Sequence, residues 1–146
     1  MSSDTRMPSA ELQTVREYLG LTIDAMARLL HVNPRTVRSW EAGRDPIPTR
    51  IREEVEAIEA YTAEVVGHVV GELNDAADAI IAVYRTNDDF ARERPDLAAD
   101  GFTARWWRHV VARVAHEVPG LVIVSPDEVE DIIEEAVEAE LRDGLD

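Results

Sequence analysis

Arg35 and Arg38 lie three residues apart, so on a helix both side chains project from one face. A guanidinium can donate two hydrogen bonds to O6 and N7 of guanine, or it can bind a phosphate. Thr36 and Ser39 place smaller hydroxyl groups in the same segment. We therefore predict that these four side chains contact base edges in the major groove of DNA.

These arginines lie on the second of two short helices that the pattern predicts. Thr22 and Asn33 can each cap a helix, and Pro34 occupies a first helical position, where a missing N–H is harmless. The apolar positions recur at helical spacing: Ile23, Met26, Ala27, Leu30, Val37 and Trp40. Gly43 supplies a left-handed exit. The pattern predicts a helix-turn-helix whose recognition helix spans 34–42.

Residues around this helix are predicted to contact the phosphate backbone. Thr22 stands at the N-terminus of the preceding helix, where its hydroxyl and the free backbone N–H groups suit a phosphate. Asn33 caps the recognition helix and Arg44 lies just beyond it. Arg50 and Arg52 are further phosphate candidates.

Arg16 and Glu41 lie on elements that converge in a helix-turn-helix domain. Ser9 is predicted to cap a first helix over 9–19, which carries Arg16, and Glu41 ends the recognition helix. We predict a partly buried, bidentate ion pair that braces the two helices. The alternative is two independent surface charges.

The net charge of the 146 residues is −15, but it is unevenly distributed. Residues 1–52 carry eight arginines and six acids, a net +2, whereas residues 53–146 carry seven arginines and 24 acids, a net −17. The cations that a phosphate backbone requires are thus concentrated near the helix-turn-helix. The chain has no cysteine, which excludes disulfides and thiolate metal sites. It has no apolar run of signal-peptide or membrane-span length, so we expect a soluble, cytoplasmic protein.

The overall prediction is a mainly α chain with a small α+β C-terminal part. Residues 1–8 are expected to be a disordered leader. Residues 9–73 are predicted to form a helix-turn-helix domain of the five-helix type, including a long helix over Thr49–Leu73. Its stripe runs at near-heptad spacing: Ile51, Val55, Ile58, Thr62, Val65 and Val69. That stripe favours either packing on its own domain or a dimer seam.

Residues 74–146 are predicted to form a dimerisation or interaction domain. Ala79–Tyr84 and Leu121–Val124 are candidate buried strands in parallel or mixed pairing, separated by helices near 87–93 and 102–117 and a loop at Pro95. The second helix is expected to bury Trp106 or Trp107 with three valines: Val110, Val111 and Val114. Two short strands make a poor sheet alone, so a partner subunit is a candidate to complete it.

A last helix begins at Ser125 and Pro126 and is strongly acidic, with ten acids and one arginine between 125 and 146. Its charged face is interpreted as a solvated surface, with an acidic interaction surface as the alternative. The role of this helix, 126–142, stays open.

An enzyme is not predicted, and no cofactor is expected. The four histidines (His31, His68, His109 and His116) have no metal-ligand spacing, and no glycine-rich phosphate loop is present.

The segment from Leu21 to Arg44, LTIDAMARLLHVNPRTVRSWEAGR, resembles the xenobiotic-response-element (Cro-type repressor) helix-turn-helix family. The resemblance lies in the Met26-Ala27 pair, the valine before the turn and the Trp-Glu-x-Gly close. In that family an Arg–Glu brace is expected, which corresponds to Arg16 and Glu41.

A narrower likeness, to the YdiL-type and anti-CRISPR-associated regulators, spans about residues 9–124. It rests on these motifs: Ala10-Glu11-Leu12-Gln13, Trp40-Glu41-x-Gly43, Ile47-Pro48, Val83-Tyr84-Arg85, Asp88-Asp89-Phe90, Pro95 and Trp106-Trp107-Arg108. The resemblance implies a small homodimeric repressor with a C-terminal dimerisation domain built on short strands.

We therefore predict a homodimeric transcriptional repressor that reads an inverted repeat in double-stranded DNA. The alternative is an antitoxin or phage-encoded interaction protein that binds a protein partner through the acidic C-terminal part.

Overall fold

Polar caps, prolines and left-handed residues set most element boundaries in residues 5–145, which the computed structural model describes. Within this range the chain forms helices and two short strands: α1 Ser9–Tyr18, α2 Ile23–Leu30, α3 Pro34–Glu41, α4 Thr49–Leu73, β1 Ile80–Ala82, α5 Asn87–Glu93, α6 Pro95–Ala99, α7 Ala104–Glu117, β2 Val122–Val124 and α8 Pro126–Gly144. The mainly helical architecture with a small sheet is confirmed.

The caps of the second and third helices are confirmed. The Thr22 hydroxyl accepts a hydrogen bond from the backbone N–H of Ala25 (3.1 Å), and the Asn33 side chain accepts one from that of Arg35 (2.9 Å). The cap predicted at Ser9 is wrong, because Pro8 occupies that position and Ser9 is the first helical residue.

Helices α1, α2 and α3 pack around a small core, and we call these three helices the head. Its largest fully buried side chains include Leu12, Met26, Leu30 and Val37. Met7, which precedes α1, is also buried in the hydrophobic core with 3% of its surface exposed, so the disordered leader predicted over 1–8 is wrong at Met7. Residues 1–4 of that leader lie outside the described residues.

The long helix α4 joins the head to the C-terminal half. Five of the six predicted stripe residues are buried within the chain, whereas Val65 is half-buried and Val66 is buried in its place. Helix α4 contacts α7 and α2. This burial agrees with the first of the two predicted roles, packing on its own chain. The Thr62 hydroxyl donates to the carbonyl of Ile58 and accepts from the indole N–H of Trp106 at 3.1 Å, all in the buried interior.

The two strands pair in parallel, with Ile80 opposite Val122 and Ala82 opposite Val124. Parallel strands need a crossover, which α5, α6 and α7 supply. The loop predicted at Pro95 is wrong, since Pro95 opens the short helix α6 at a position where its missing N–H is tolerated. Both Trp106 and Trp107 are buried, where the sequence favoured one of them.

The final helix α8 has no buried residue. Its first turn is fixed by Ser125, whose backbone N–H donates to the Glu128 carboxylate at 2.8 Å. Ile133, Val137 and Leu141 are exposed at intervals of four residues and form one stripe along the helix. Between residues 5 and 145, no helix is long and apolar enough to cross a bilayer.

Candidate nucleic-acid interface

The third helix has one buried face and one exposed face. Val37 and Trp40 are buried in the head, whereas Arg35 and Arg38 are exposed. Outward-facing side chains of α3 and of the turn after it border a surface depression of about 510 Å³: Arg35, Thr36, Arg38, Ser39, Arg44 and Asp45. The structure therefore places all four predicted base-contacting residues, together with Arg44, around one depression.

Two carboxylates that the sequence reasoning missed lie on this surface. Asp24 is 3.8 Å from a guanidinium nitrogen of Arg38, and both side chains are more than half exposed. The Ser39 hydroxyl donates a short hydrogen bond to Asp45. Both carboxylates oppose the approach of a phosphate, so they weaken binding that depends on charge alone. Arg35 and Arg44 are then the cations of the depression whose guanidinium groups make no hydrogen bond or ion pair among residues 5–145.

A second depression, of about 300 Å³, lies at the N-terminus of α2. Thr22, Asp24 and Arg38 border it, as does Arg105 from the first turn of α7. Thr22 is exposed here, and its hydroxyl already caps α2. This position is where a helix N-terminus can receive a phosphate. Arg105 carried no signal in the sequence, since it belongs to the acidic half of the chain.

Arg16 and Glu41 form the bidentate ion pair expected from the sequence. Arg16 Nε is 2.7 Å from one carboxylate oxygen of Glu41, and Arg16 Nη2 is 2.9 Å from the other. Arg16 Nη1 also donates to the carbonyl of Leu21 at 2.9 Å. The hydrogen bond to Glu41 raises the pKa of Arg16, so the guanidinium stays charged although its side chain is only 12% exposed. The pair thus connects α1, α3 and the turn that leads into α2.

The remaining phosphate candidates lie elsewhere. Arg50 pairs with Glu54 at 2.9 Å along α4, and Arg52 forms two hydrogen bonds to Glu11 of α1, at 3.0 and 3.1 Å. Neither arginine borders the two depressions. The side chain of Asn33 is engaged in capping α3.

The described part of the chain contains no group of three or more metal-ligating side chains placed to hold an ion. The donors exposed around the two depressions are guanidinium, hydroxyl and backbone N–H groups, beside the carboxylates of Asp24 and Asp45. Such donors match phosphates and the acceptor-rich edge of guanine.

Comparison with known proteins gives a consistent picture. A family model described as Aca2/YdiL-like matches residues 7–122, which run from just before α1 to the first residue of β2. The Aca2 repressor of Pectobacterium phage ZF40 is 25% identical over 91 residues, which cover 62% of this chain and 78% of that protein. Helix α8 lies beyond the matched range. The chain belongs to the Aca2/YdiL-like family.

Proposed function

We propose that this chain is a sequence-specific DNA-binding repressor that reads its operator with α3. The observation that carries the proposal is the division of α3 into two faces. Val37 and Trp40 fix the helix in the core, while Arg35 and Arg38 face solvent beside Thr36 and Ser39. A helix held in this way can enter a major groove without reorganisation of its backbone, and its exposed guanidinium groups then face the base edges. The similar phage protein is named a repressor, which supports the direction of regulation.

The proposed functional unit is a homodimer on an inverted repeat. One short helix reads only a few base pairs, and a two-fold dimer doubles that contact. Half-sites would then lie one helical turn (~34 Å) or a multiple of it apart. The apolar side chains exposed in the C-terminal half support self-association: Val122, Ile123, Ile133, Val137 and Leu141. A two-stranded sheet with exposed valine and isoleucine is an incomplete layer on its own.

The DNA-binding proposal is tested by alanine substitutions in the first depression. The probe is a duplex of about 30 base pairs, long enough for two half-sites, that the wild-type chain selects from a random library. Arg35→Ala and Arg38→Ala should each lose about 1–3 kcal/mol of discrimination between this duplex and a scrambled one. Arg44→Ala should weaken both duplexes equally and reduce the salt dependence of binding, because it removes a phosphate contact.

The matched control is Arg28→Ala, which removes an exposed arginine of α2 that borders neither depression. This variant should bind both duplexes like the wild-type chain. Equal losses for all four variants would refute the assigned roles. Failure of the wild-type chain to select any sequence would refute the function itself.

The homodimer proposal is tested separately by sedimentation. The double variant Ile133→Gln with Val137→Gln removes two exposed apolar side chains of α8, so the fold should persist while the dimer dissociates at micromolar concentration. Glu134→Gln with Glu138→Gln is the matched control, because it changes neighbouring positions and lowers acidic repulsion. A control that dissociates as readily as the apolar variant would contradict a dimer held by this stripe.

A second candidate function, the binding of a partner protein, rests on the same helix α8. An apolar stripe flanked by carboxylates suits a partner protein that carries an apolar groove with a basic rim. A wild-type chain that sediments as a monomer would favour this function for α8, because its stripe would then lack a second copy to cover it.

A further inference from the structure

The depression at the N-terminus of α2 is bordered by both halves of the molecule. Arg38 and Arg16 reach it from the head, and Arg105 reaches it from α7. Three arginines therefore converge beside Thr22, with Asp24 as the one carboxylate among the bordering residues. Arg105 lies outside the helix-turn-helix segment, more than 60 positions after the recognition helix in the chain.

Close backbone contact fixes where Arg105 lies relative to the head. Gly20, in the turn between α1 and α2, has a φ of +73° and lies directly against α7. A Cβ atom placed there would be 2.6 Å from Cγ of His109 and 3.0 Å from the carbonyl oxygen of Arg105. Nδ1 of His109 lies 2.9 Å from the carbonyl oxygen of Tyr18, at the end of α1. The first turns of α7 are therefore packed on the turn that leads to Thr22.

The charges on α7 differ from those of the half in which it lies. Helix α7 carries three arginines and one carboxylate, although residues 53–146 have a net charge of −17. Arg108 donates to the carbonyl of Tyr84, and the guanidinium of Arg113 lies over the ring of Tyr18 at 5.1 Å. By contrast, Arg105 is exposed, and no hydrogen bond or ion pair to another side chain holds it among residues 5–145.

The position of Arg105 within its own helix is unfavourable for a cation. It is the second residue of α7, at the positive end of the helix dipole, where acidic side chains are stabilising and arginine is not. No acidic residue stands in the first turn of α7 to compensate. A positive side chain at a positive helix end produces a local field that attracts an anion from outside the chain.

We propose that Arg105 binds a DNA phosphate adjacent to the phosphate received by Thr22, so that α7 forms part of the DNA interface. This inference rests on the DNA-binding function proposed above. The C-terminal half then contributes directly to operator affinity, in addition to any role in assembly. The contact is to phosphate, so it raises affinity for every sequence and leaves base preference unchanged.

The test is the salt dependence of binding by the full chain carrying Arg105→Gln. The probes are the duplex selected by the wild-type chain and its scrambled counterpart. Loss of one phosphate contact should reduce the slope of log K against log salt concentration by about 0.9 on both duplexes, which is about an eightfold loss of affinity at 0.1 M salt. The Arg105→Lys variant, which keeps the charge, should retain the wild-type slope.

The matched control is Arg92→Gln, which makes the same charge change at an exposed arginine of α5 that borders neither DNA-facing depression. Its slope should equal that of the wild-type chain. A wild-type slope for Arg105→Gln would overturn the proposal, and so would a loss of affinity without a change of slope. A wild-type chain that binds neither duplex would instead overturn the proposed DNA-binding function, and the role of Arg105 with it.

Discussion

Helices α3 and α8 begin in the same way but differ in how much of their apolar surface is buried. Asn33 with Pro34 and Ser125 with Pro126 are both polar caps followed by a proline in the first turn. In α3 the apolar side chains are buried in the head, and the exposed face carries arginines. In α8 no residue is buried, and carboxylates surround an apolar stripe that faces solvent.

This difference shows that the start of a helix and its attachment are specified by separate signals. A cap and a proline determine where each helix begins, which is a property of a few adjacent residues. Attachment requires complementary partners elsewhere in the chain. Helix α3 buries Val37 and Trp40 against such partners, whereas α8 buries no residue and its first turn lies near Arg85. We infer that α3 is preorganised for a ligand, whereas the stripe of α8 is complete only with a second chain.

The largest expected loss of stability follows from breaking the ion pair that fixes the end of α3. Glu41→Gln leaves Arg16 as a charge of low exposure without its counterion, and should reduce the free energy of unfolding by about 3–5 kcal/mol. Glu11→Gln removes a carboxylate from the more exposed pair with Arg52 and should reduce it by less than about 1 kcal/mol. Urea denaturation measures both. Equal losses would mean that the end of α3 is not specially fixed.

The contact between the head and α7 gives the next effect. Gly20→Ala combines an unfavourable positive φ with a collision against His109, and should reduce the free energy of unfolding by about 2–4 kcal/mol. Gly120 also has a positive φ, +81°, but nothing lies within 4 Å of an added Cβ. Gly120→Ala should therefore lose less stability, because it carries the cost of the positive φ without a collision. If thermal unfolding gave the same loss for both, the head would not be packed tightly on α7.

A single substitution made in both helices compares their attachment directly. Val37→Ala in α3 deletes two fully buried methyl groups and should reduce the free energy of unfolding by about 2–3 kcal/mol. Val137 in α8 is 49% exposed, so Val137→Ala should change it by less than about 0.5 kcal/mol, measured at a concentration where the chain is monomeric. A large loss at Val137 in the monomer would show that α8 packs on its own chain.

The smallest effect concerns the start of α8 and its dependence on pH. Hydrogen bonds from Ser125 lower the pKa of Asp127 and of Glu128 below their ordinary values. The stabilisation that these hydrogen bonds give to the first turn of α8 is therefore complete above the ordinary pKa of the carboxylates. It is lost as the pH falls through the lowered pKa. Hydrogen exchange at the Ser125 amide should accelerate over that acidic range relative to neighbouring amides. Glu128→Gln, which cannot ionise at this position, should reduce the pH dependence of exchange at the Ser125 amide. An undiminished pH dependence in this variant would show that ionisation of Glu128 is not its cause.

Local signals in the sequence were sufficient for α2 and α3, whereas the cap of α1 was misplaced by one residue. The caps at Thr22 and Asn33, the proline at position 34 and the burial of Val37 and Trp40 all depend on residues within one or two helical turns. The parallel pairing of β1 and β2 was also within reach, because an apolar segment, a helical crossover and a second apolar segment suggest it.

Contacts between distant parts of the chain were not predictable from such patterns. Packing of Gly20 against His109 and placement of Arg105 beside Thr22 both depend on how α7 lies against the α1–α2 turn. The ion pair of Arg52 with Glu11 likewise follows from the position of α4 beside α1. The Arg50–Glu54 pair, by contrast, is a local i, i+4 contact within α4 that the spacing in the sequence allows. A count of charges along the sequence identified the basic half, but not which arginines are already paired.

The most direct test of the account is a titration of the isotope-labelled full chain with the selected duplex, followed through its amide chemical shifts. The account predicts that the largest changes fall on residues 35–39, Thr22 and the first turn of α7, while the amides of α8 stay unchanged. Changes concentrated along α8, with α3 unaffected at saturating DNA, would contradict it.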